Sequence, residues 1–390
     1  MKRTRHMQIL SIAMSLLVVI GIMTISQASV FAATDTTTGL RYTISSGKAT
    51  ITGFSAPTGF GGALTIPGTL GGASVTAISN YAFSKNDTIK SVAIPKNVLS
   101  IGINPFEYCS NLVSITVDSS NTAYKSLDDI LFSKDGTTIL SCPAAKSGSI
   151  TNTNGVTTIA TYAFCSCSKI TGITLPNSLT SIQYLAFYGC SGLTNLTIPG
   201  GVANIDSSTF AMCSNLTSIN IDPSNNTYKS IDGMVYSKSG TKFVCCPEGK
   251  SGYLTIPDGV TSIEPMAFVC CEKLRGITIP GSVTSIGDYA FGRCSVLLSM
   301  TVPNSVTSIG RGAFFNCFSL ASITIPNSIT SIEDYTFQFC GKLERINLPS
   351  SIKTIGQEAF YYCSKLTGIT IPASVTSIGE DAFTDCVNLK

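Results

Sequence analysis

A solenoid of short, parallel stacked strands is the fold class that this 390-residue sequence predicts. Three observations predict it. Eleven phenylalanines fall in phase at a period of 23 residues: Phe83 and Phe106; Phe164, Phe187 and Phe210; then Phe268, Phe291, Phe314, Phe337, Phe360 and Phe383. Apolar residues recur at fixed offsets within each period, as in Phe291, Cys294, Leu297, Met300, Val302, Val306 and Ile309. The two breaks in the register are both 58 residues long and resemble one another. No single coil of this size can bury its apolar side, so neighbours must stack into one core.

Taken in chain order, the first segment is a leader. Lys2, Arg3 and Arg5 precede a nearly uncharged apolar run, Ile9 to Ile25, and "QASVFAAT" then offers small residues for cleavage. This is a secretory signal pattern over 1–32. A retained membrane anchor is the competing reading, since the run nears the length of a spanning helix. A β-rich cap is expected over 33–70, with the solenoid over 71–390.

Inside a coil, "ITIP" reads as a short strand with both apolar residues inward, because Met300 and Val302, like Ile323 and Ile325, alternate at period 2. Pro303, Pro326 and Pro372 end such strands, since proline cannot donate to the next rung. "SVTSIG" is a second extended segment, and "AFxxC" closes the coil with a single-turn helical corner. From Leu64 to Ile371 the pattern counts 13 stacked strands. At roughly 4.8 Å per rung the stack is on the order of 60 Å long.

The enlarged coils carry "SNTAYKSLDDILFSKDGTTILSCP" (120–143) and "NNTYKSIDGMVYSKSGTKFVCCP" (225–247). Each has two alternating runs around "KDG" or "KSG", which predicts a projecting β-hairpin within 119–148 and 224–252. At the far end, the strand Ile369 to Ile371 offers an open edge beside Phe383, Val387 and Leu389. Open edges recruit other chains. The expectation is that this end continues in a longer chain, or is covered by a second copy or a partner.

The repeat "LxxITIPxSVTxIGxxAFxxC", the paired insertions and the opening "YTISSGKATITGF" (Tyr42 to Phe54) are similar to the BspA-like leucine-rich repeat family of bacterial proteins. The likeness covers about residues 40–390. It implies a secreted or surface-exposed solenoid that adheres to host or extracellular-matrix proteins, and it supplies no catalytic motif to carry over.

Composition narrows the function classes. Without Lys2, Arg3 and Arg5 the chain keeps 22 basic residues against 22 acidic ones. A neutral chain with no basic block is a poor partner for nucleic acid or anionic membrane. The only histidine, His6, lies in the leader, and tryptophan is absent. Ser-His-Asp and Cys-His catalysis, histidine-ligated zinc and histidine-held haem are thereby excluded. No enzyme, cofactor or metal site is expected.

Ten of the 15 cysteines sit three residues after the phenylalanine, with Asn86 in that place in the first coil. Export and abundant cysteine usually mean disulfides. A core offset in every coil instead predicts buried, reduced thiols whose S–H reaches a turn carbonyl, because stacked Cβ atoms ~5 Å apart are too far for the ~3.8 Å of a disulfide. Of the adjacent pairs Cys245–Cys246 and Cys270–Cys271, one member each is expected to point away from the core. Asp288, Glu333, Asp334, Glu358, Glu380 and Asp381, with Arg311 and Gln357, read as a solvated rim rather than paired catalytic acids.

Two surfaces remain for a partner. The outward positions of the strand face are mostly threonine, with Ser, Asn and Gly beside them, and carry no aromatic rings. Threonine there suits strand structure first, and ordering of water is a distant alternative. The hairpins bring Tyr124, Lys125, Phe132 and Lys134, and Tyr228, Lys229, Tyr236 and Lys238, which are the candidate partner-binding residues. The alternative is that these rings pack each hairpin onto its own coil. The expected function is therefore a secreted or cell-surface protein-binding, adhesin-like module whose partner is an extracellular or host protein. A spacer solenoid of a larger surface protein is the competing class. No association with nucleic acid, or with membrane after leader cleavage, is expected.

Overall fold

The computed structural model describes residues 31–390. The leader expected over 1–32 lies outside the described residues, save for Phe31 and Ala32. These two begin a strand, Phe31–Thr34, that pairs antiparallel with Leu40–Ser45. A third strand, Lys48–Phe54, completes this antiparallel opening and then pairs parallel with Ala73–Ile78, which starts the coils. The rings of Phe54 and Phe60 meet edge to face at 5.2 Å and close the end of the core over Phe83.

Each ordinary coil has three runs. The first is the strand foreseen in "ITIP": Ser322–Thr324 lies in register between Ser299–Thr301 and Arg345–Asn347, with Ile323 buried between Met300 and Ile346. Thirteen such strands occur between Ala63–Thr65 and Gly368–Ile369, in five hydrogen-bonded groups. The second run is the "SI" pair, for example Ser285–Ile286 beside Ser308–Ile309. Its hydroxyls explain the conserved look of "SVT" from coil to coil. Ser305 Oγ donates to the Val283 carbonyl at 2.6 Å, and Thr307 Oγ1 donates to the Thr284 carbonyl at 3.2 Å. Side-chain donors thus add a bond between rungs where the strand is only two residues long.

The third run is the corner, and it is not the helical turn expected. Only Ser207–Phe210 forms a short 3₁₀ turn among the described corners. Elsewhere two residues per corner, such as Tyr289 (φ 51°) and Arg293 (φ 63°), or Tyr335 (φ 60°) and Phe339 (φ 61°), take the left-handed conformation. A helix cannot pass through such residues. Their compensation is a third ladder: the amides of Tyr289, Phe291 and Arg293 donate to the carbonyls of Arg311, Ala313 and Phe315 at 2.8, 2.8 and 2.7 Å. The intervening amides close i to i−3 turns, as Cys294 does onto Phe291 at 3.1 Å. Every backbone donor of the corner is used, which is the condition for burying it.

Ten of the eleven register phenylalanines are buried and Phe383 is partly so. Successive rings stack with centroids 5.1–5.7 Å apart, as in Phe291 on Phe314 and Phe314 on Phe337. The phenylalanines, expected to share one core, are divided into three stacks, because the enlarged coils have no phenylalanine at the corner. Three core clusters result, centred on residues 40–131, 130–245 and 234–386. Phe243 restarts the last stack, 4.4 Å from Phe268.

The insertions are three-stranded meanders rather than projecting hairpins. Tyr124–Leu127, Ile130–Ser133 and Thr138–Ser141 run antiparallel, and the third strand joins the "SI" ladder beside Thr158–Ile159. The second copy repeats this with Tyr228–Ile231, Met234–Ser237 and Lys242–Cys245. Both lie down on the preceding coil: the Ile115 amide donates to Asp129 and the Ile219 amide to Gly233, at 2.9 and 2.8 Å. Asn121 and Asn225 pin them. Asn225 is fully buried, donates to the Pro199 and Val202 carbonyls and accepts from the amides of Thr227 and Tyr228.

Candidate interaction surfaces

The meanders place the predicted site residues unevenly. Phe132 (2 % exposed) and Tyr236 (0 %) are core residues, so they offer nothing to a partner. Alternation along a strand whose two faces are both covered sends them inward. Tyr124 and Tyr228 are half-buried, and their hydroxyls accept from the amides of Ile101 and Ile205 at 3.0 and 3.1 Å. The rings therefore pack each insertion onto its own coil. Lys134 and Lys238 are exposed but tied back: Lys134 Nζ donates to the Ser119 carbonyl, and Lys238 Nζ to those of Pro223 and Asn225. Lys125 and Lys229 are half-buried. The structure brings each set of four together in one meander and leaves mainly lysines on its outside.

The strand face is as flat as expected, with one correction. Tyr253 stands at an outward position and is 76 % exposed, so the face does carry a ring.

Most exposed aromatics lie instead on the corner side, beside the buried phenylalanine stack. Tyr289 meets Phe315 edge to face at 5.9 Å, Phe315 meets Phe339 at 5.8 Å, and Phe339 meets Tyr361 and Tyr362 at 5.5 and 5.8 Å. Arg311 lies over the Tyr335 ring, 4.6 Å from its centroid. Tyr362 is 38 % exposed and the others are half-buried. Edge-to-face contacts of this kind hold rings in fixed positions, so the row is ordered before any partner arrives. Sequence reasoning missed it because these rings occupy the variable positions beside the repeat, not its fixed offsets.

The acidic rim runs along the same side, and part of it is structural. Asp288 Oδ1 accepts from the Arg311 amide at 2.9 Å and Asp334 Oδ1 from the Gln357 amide at 2.7 Å, each tying one coil to the next. Glu358 pairs with Gln338, and burial pushes its carboxyl above the usual range.

All 15 cysteines are free and buried. Eight of the ten ladder thiols donate to the phenylalanine carbonyl of the preceding coil, as Cys317 does to Phe291 and Cys340 to Phe314, at 3.1 and 3.2 Å, while Cys167 and Cys271 donate to carbonyls of the enlarged coils. Desolvation drives most of them away from thiolate, with Cys109 pushed up to about 12, whereas a hydrogen bond with Cys363 lowers Cys386 at the last coil. Asn86 keeps its turn differently, accepting from the amides of Thr88 and Ile89. Cys245 and Cys246 both join the core, contrary to expectation, because they serve two different core clusters, whereas in the other pair Cys271 is a core residue and Cys270, though buried, belongs to none of the clusters, as expected. Among the described residues no group of three His, Cys, Asp or Glu side chains could hold a metal, and no helix is long and apolar enough to cross a membrane.

The BspA type leucine-rich repeat region matches residues 76–144, 140–251 and 261–390, in six copies. The chain belongs to this family. Its BspA-type coils are similar to a leucine-rich cell surface protein from Faecalibacterium prausnitzii, at 28 % identity and a TM-score of 0.54, over 92 % of this chain and 93 % of that one. A leucine-rich repeat protein from Eubacterium ventriosum matches at 22 % identity (TM-score 0.49, 92 % and 95 % covered), and the pneumococcal vaccine antigen PcpA at 19 % (0.49, 92 % and 88 %). No match was found among curated proteins. BspA-type solenoids are generally non-enzymatic, and the Faecalibacterium prausnitzii neighbour is a cell surface protein.

Proposed function

We propose that this protein is an extracellular, adhesin-like binding module whose partner is a protein gripped by the corner side of the solenoid. The row Tyr289, Phe315, Phe339, Tyr361 and Tyr362, with Arg311 over Tyr335, carries the reading. Tyrosine and arginine anchors dominate protein interfaces, and rings already held by their neighbours lose little entropy on binding. The meanders, with their rings turned inward, are a weaker anchor than the sequence suggests. A panel of immobilised extracellular-matrix and host-surface proteins, probed with the chain lacking residues 1–32, tests the proposal. Saturable binding that Phe339→Ala with Tyr362→Ala abolishes supports it. Absence of binding to any member leaves the spacer role as the better account.

A further inference from the structure

The enlarged coils alter the corner side in a second way. Their corners are cut short at Cys142–Lys146 and Cys246–Lys250, which make one amide bond to the coil on either side, as Cys246 does to Ala267 and Gly249 to Leu216, both at 2.7 Å. Between the flanking corners a groove of about 590 Å³ opens, lined by Tyr108, Tyr188, Met212, Glu248, Cys270 and Glu272 among others. Tyr108 and Tyr188 both line it.

Glu248 is 6 % exposed at the edge of this groove. One carboxyl oxygen accepts from the Met212 amide at 2.6 Å, a donor that the shortened corner leaves without a carbonyl. The other oxygen has no hydrogen-bond partner among the described residues. In the first enlarged coil the equivalent position, 104 residues earlier, is Ala144, so the fold does not require an acid there. The groups facing Glu248 are Glu272, Lys273 and Arg293 from the next coils, with the thiols of Cys245, Cys246 and Cys270. Both cations are engaged elsewhere: Arg293 pairs with Glu272 at 3.7 Å, and Lys273 donates to the Ser214 carbonyl at 2.7 Å. Neither forms an ion pair with Glu248.

A buried carboxyl with no ion-pair partner of its own, beside two tyrosine rings and a methionine, is complementary to a cation on an apolar stem. We propose that this groove binds an alkylammonium or guanidinium group, whose cation pairs with Glu248 while its stem lies along Tyr108, Tyr188 and Met212. Rings near a desolvated cation add attraction of their own. Such a group comes from a lysine or arginine side chain or from a free polyamine.

Burial pushes the Glu248 carboxyl up to about 8, so at neutral pH it is mostly protonated. A cation binds the ionised form, and binding therefore expels a proton. With the full chain, calorimetric titration of N-acetyl-arginine amide should show one site per chain. Affinity should rise about tenfold per pH unit below about 8 and level off above it. The neutral isostere, N-acetyl-citrulline amide, should bind at least tenfold more weakly. Glu248→Gln keeps an acceptor for Met212 and should abolish binding with an unchanged melting temperature. Glu248→Ala, which imitates Ala144, should also abolish binding, with a lower melting temperature because the Met212 amide loses its acceptor. Spermidine binding more tightly than the arginine amide would assign the free polyamine as source, and the reverse order a protein side chain. No binding of either cation, binding indifferent to pH, equal binding of the citrulline amide, or full binding by both Glu248 variants would overturn the proposal.

Discussion

The strand side and the corner side of a single coil are built from the same ladder principle and differ in what they let vary. On the strand side, Ser322–Thr324 pairs with Ser299–Thr301, which repeats its serine and threonine, and with Arg345–Asn347, which keeps only the inward isoleucine, while threonine holds most of the outward positions along the stack. On the corner side, Phe314 and Cys317 are fixed in the core, while the residues between and beside them, Phe315, Asn316 and Phe318, change from coil to coil. A strand needs its side chains for cross-rung packing. A corner held by three backbone bonds per coil does not, so its surface is free to carry recognition.

Substitutions should separate the two sides. The largest effect belongs to the corner core: Phe314→Ala removes a ring stacked on both neighbours and should cost roughly 3–5 kcal/mol in chemical unfolding. A loss under about 1 kcal/mol would mean that the stack is ornamental. Next comes the anchor of the second meander. Asn225→Ala leaves the Val202 carbonyl and the amides of Thr227 and Tyr228 without their partner and should cost roughly 2–4 kcal/mol. The ladder thiols should matter less: Cys317→Ala forfeits one S–H bond to the Phe291 carbonyl, for about 1–2 kcal/mol. On the strand side, the exposed Thr324→Ala should stay within about 0.5 kcal/mol. Equal losses for Thr324→Ala and Cys317→Ala would erase the distinction between the two sides.

Much of this was legible before any coordinates. The Phe and Cys offsets marked the core, and the period of "ITIP" marked the strand, because both depend on side chains that every coil must supply. The left-handed corner was not legible. Glycine or asparagine usually signals such a conformation, and Gly189 and Gly312 do so in two coils. In others the positions hold Tyr289, Arg293 and Phe339, where bonds to the next coil outweigh local preference. The inward turn of Phe132 and Tyr236 was hidden for a related reason. Alternation gives two faces but not which is covered, and the meander has another coil on both. Glu248 was invisible because its burial arises from a corner that is missing rather than from anything in its own neighbourhood of sequence. Asn121 and Asn225 stood 104 residues apart in the matched insertions, and that spacing was the signal that could have found them.

The most direct test of the central claim, that recognition belongs to the corner side, is a comparison of dissociation constants. A partner selected from the protein panel would be titrated against three variants: Phe339→Ala with Tyr362→Ala on the corner, Lys134→Ala with Lys238→Ala on the meanders, and Thr324→Ala on the strand side. The account predicts at least a tenfold loss of affinity for the first and less than a twofold change for the other two. A meander or strand variant that loses binding while the corner variant keeps it would contradict the account.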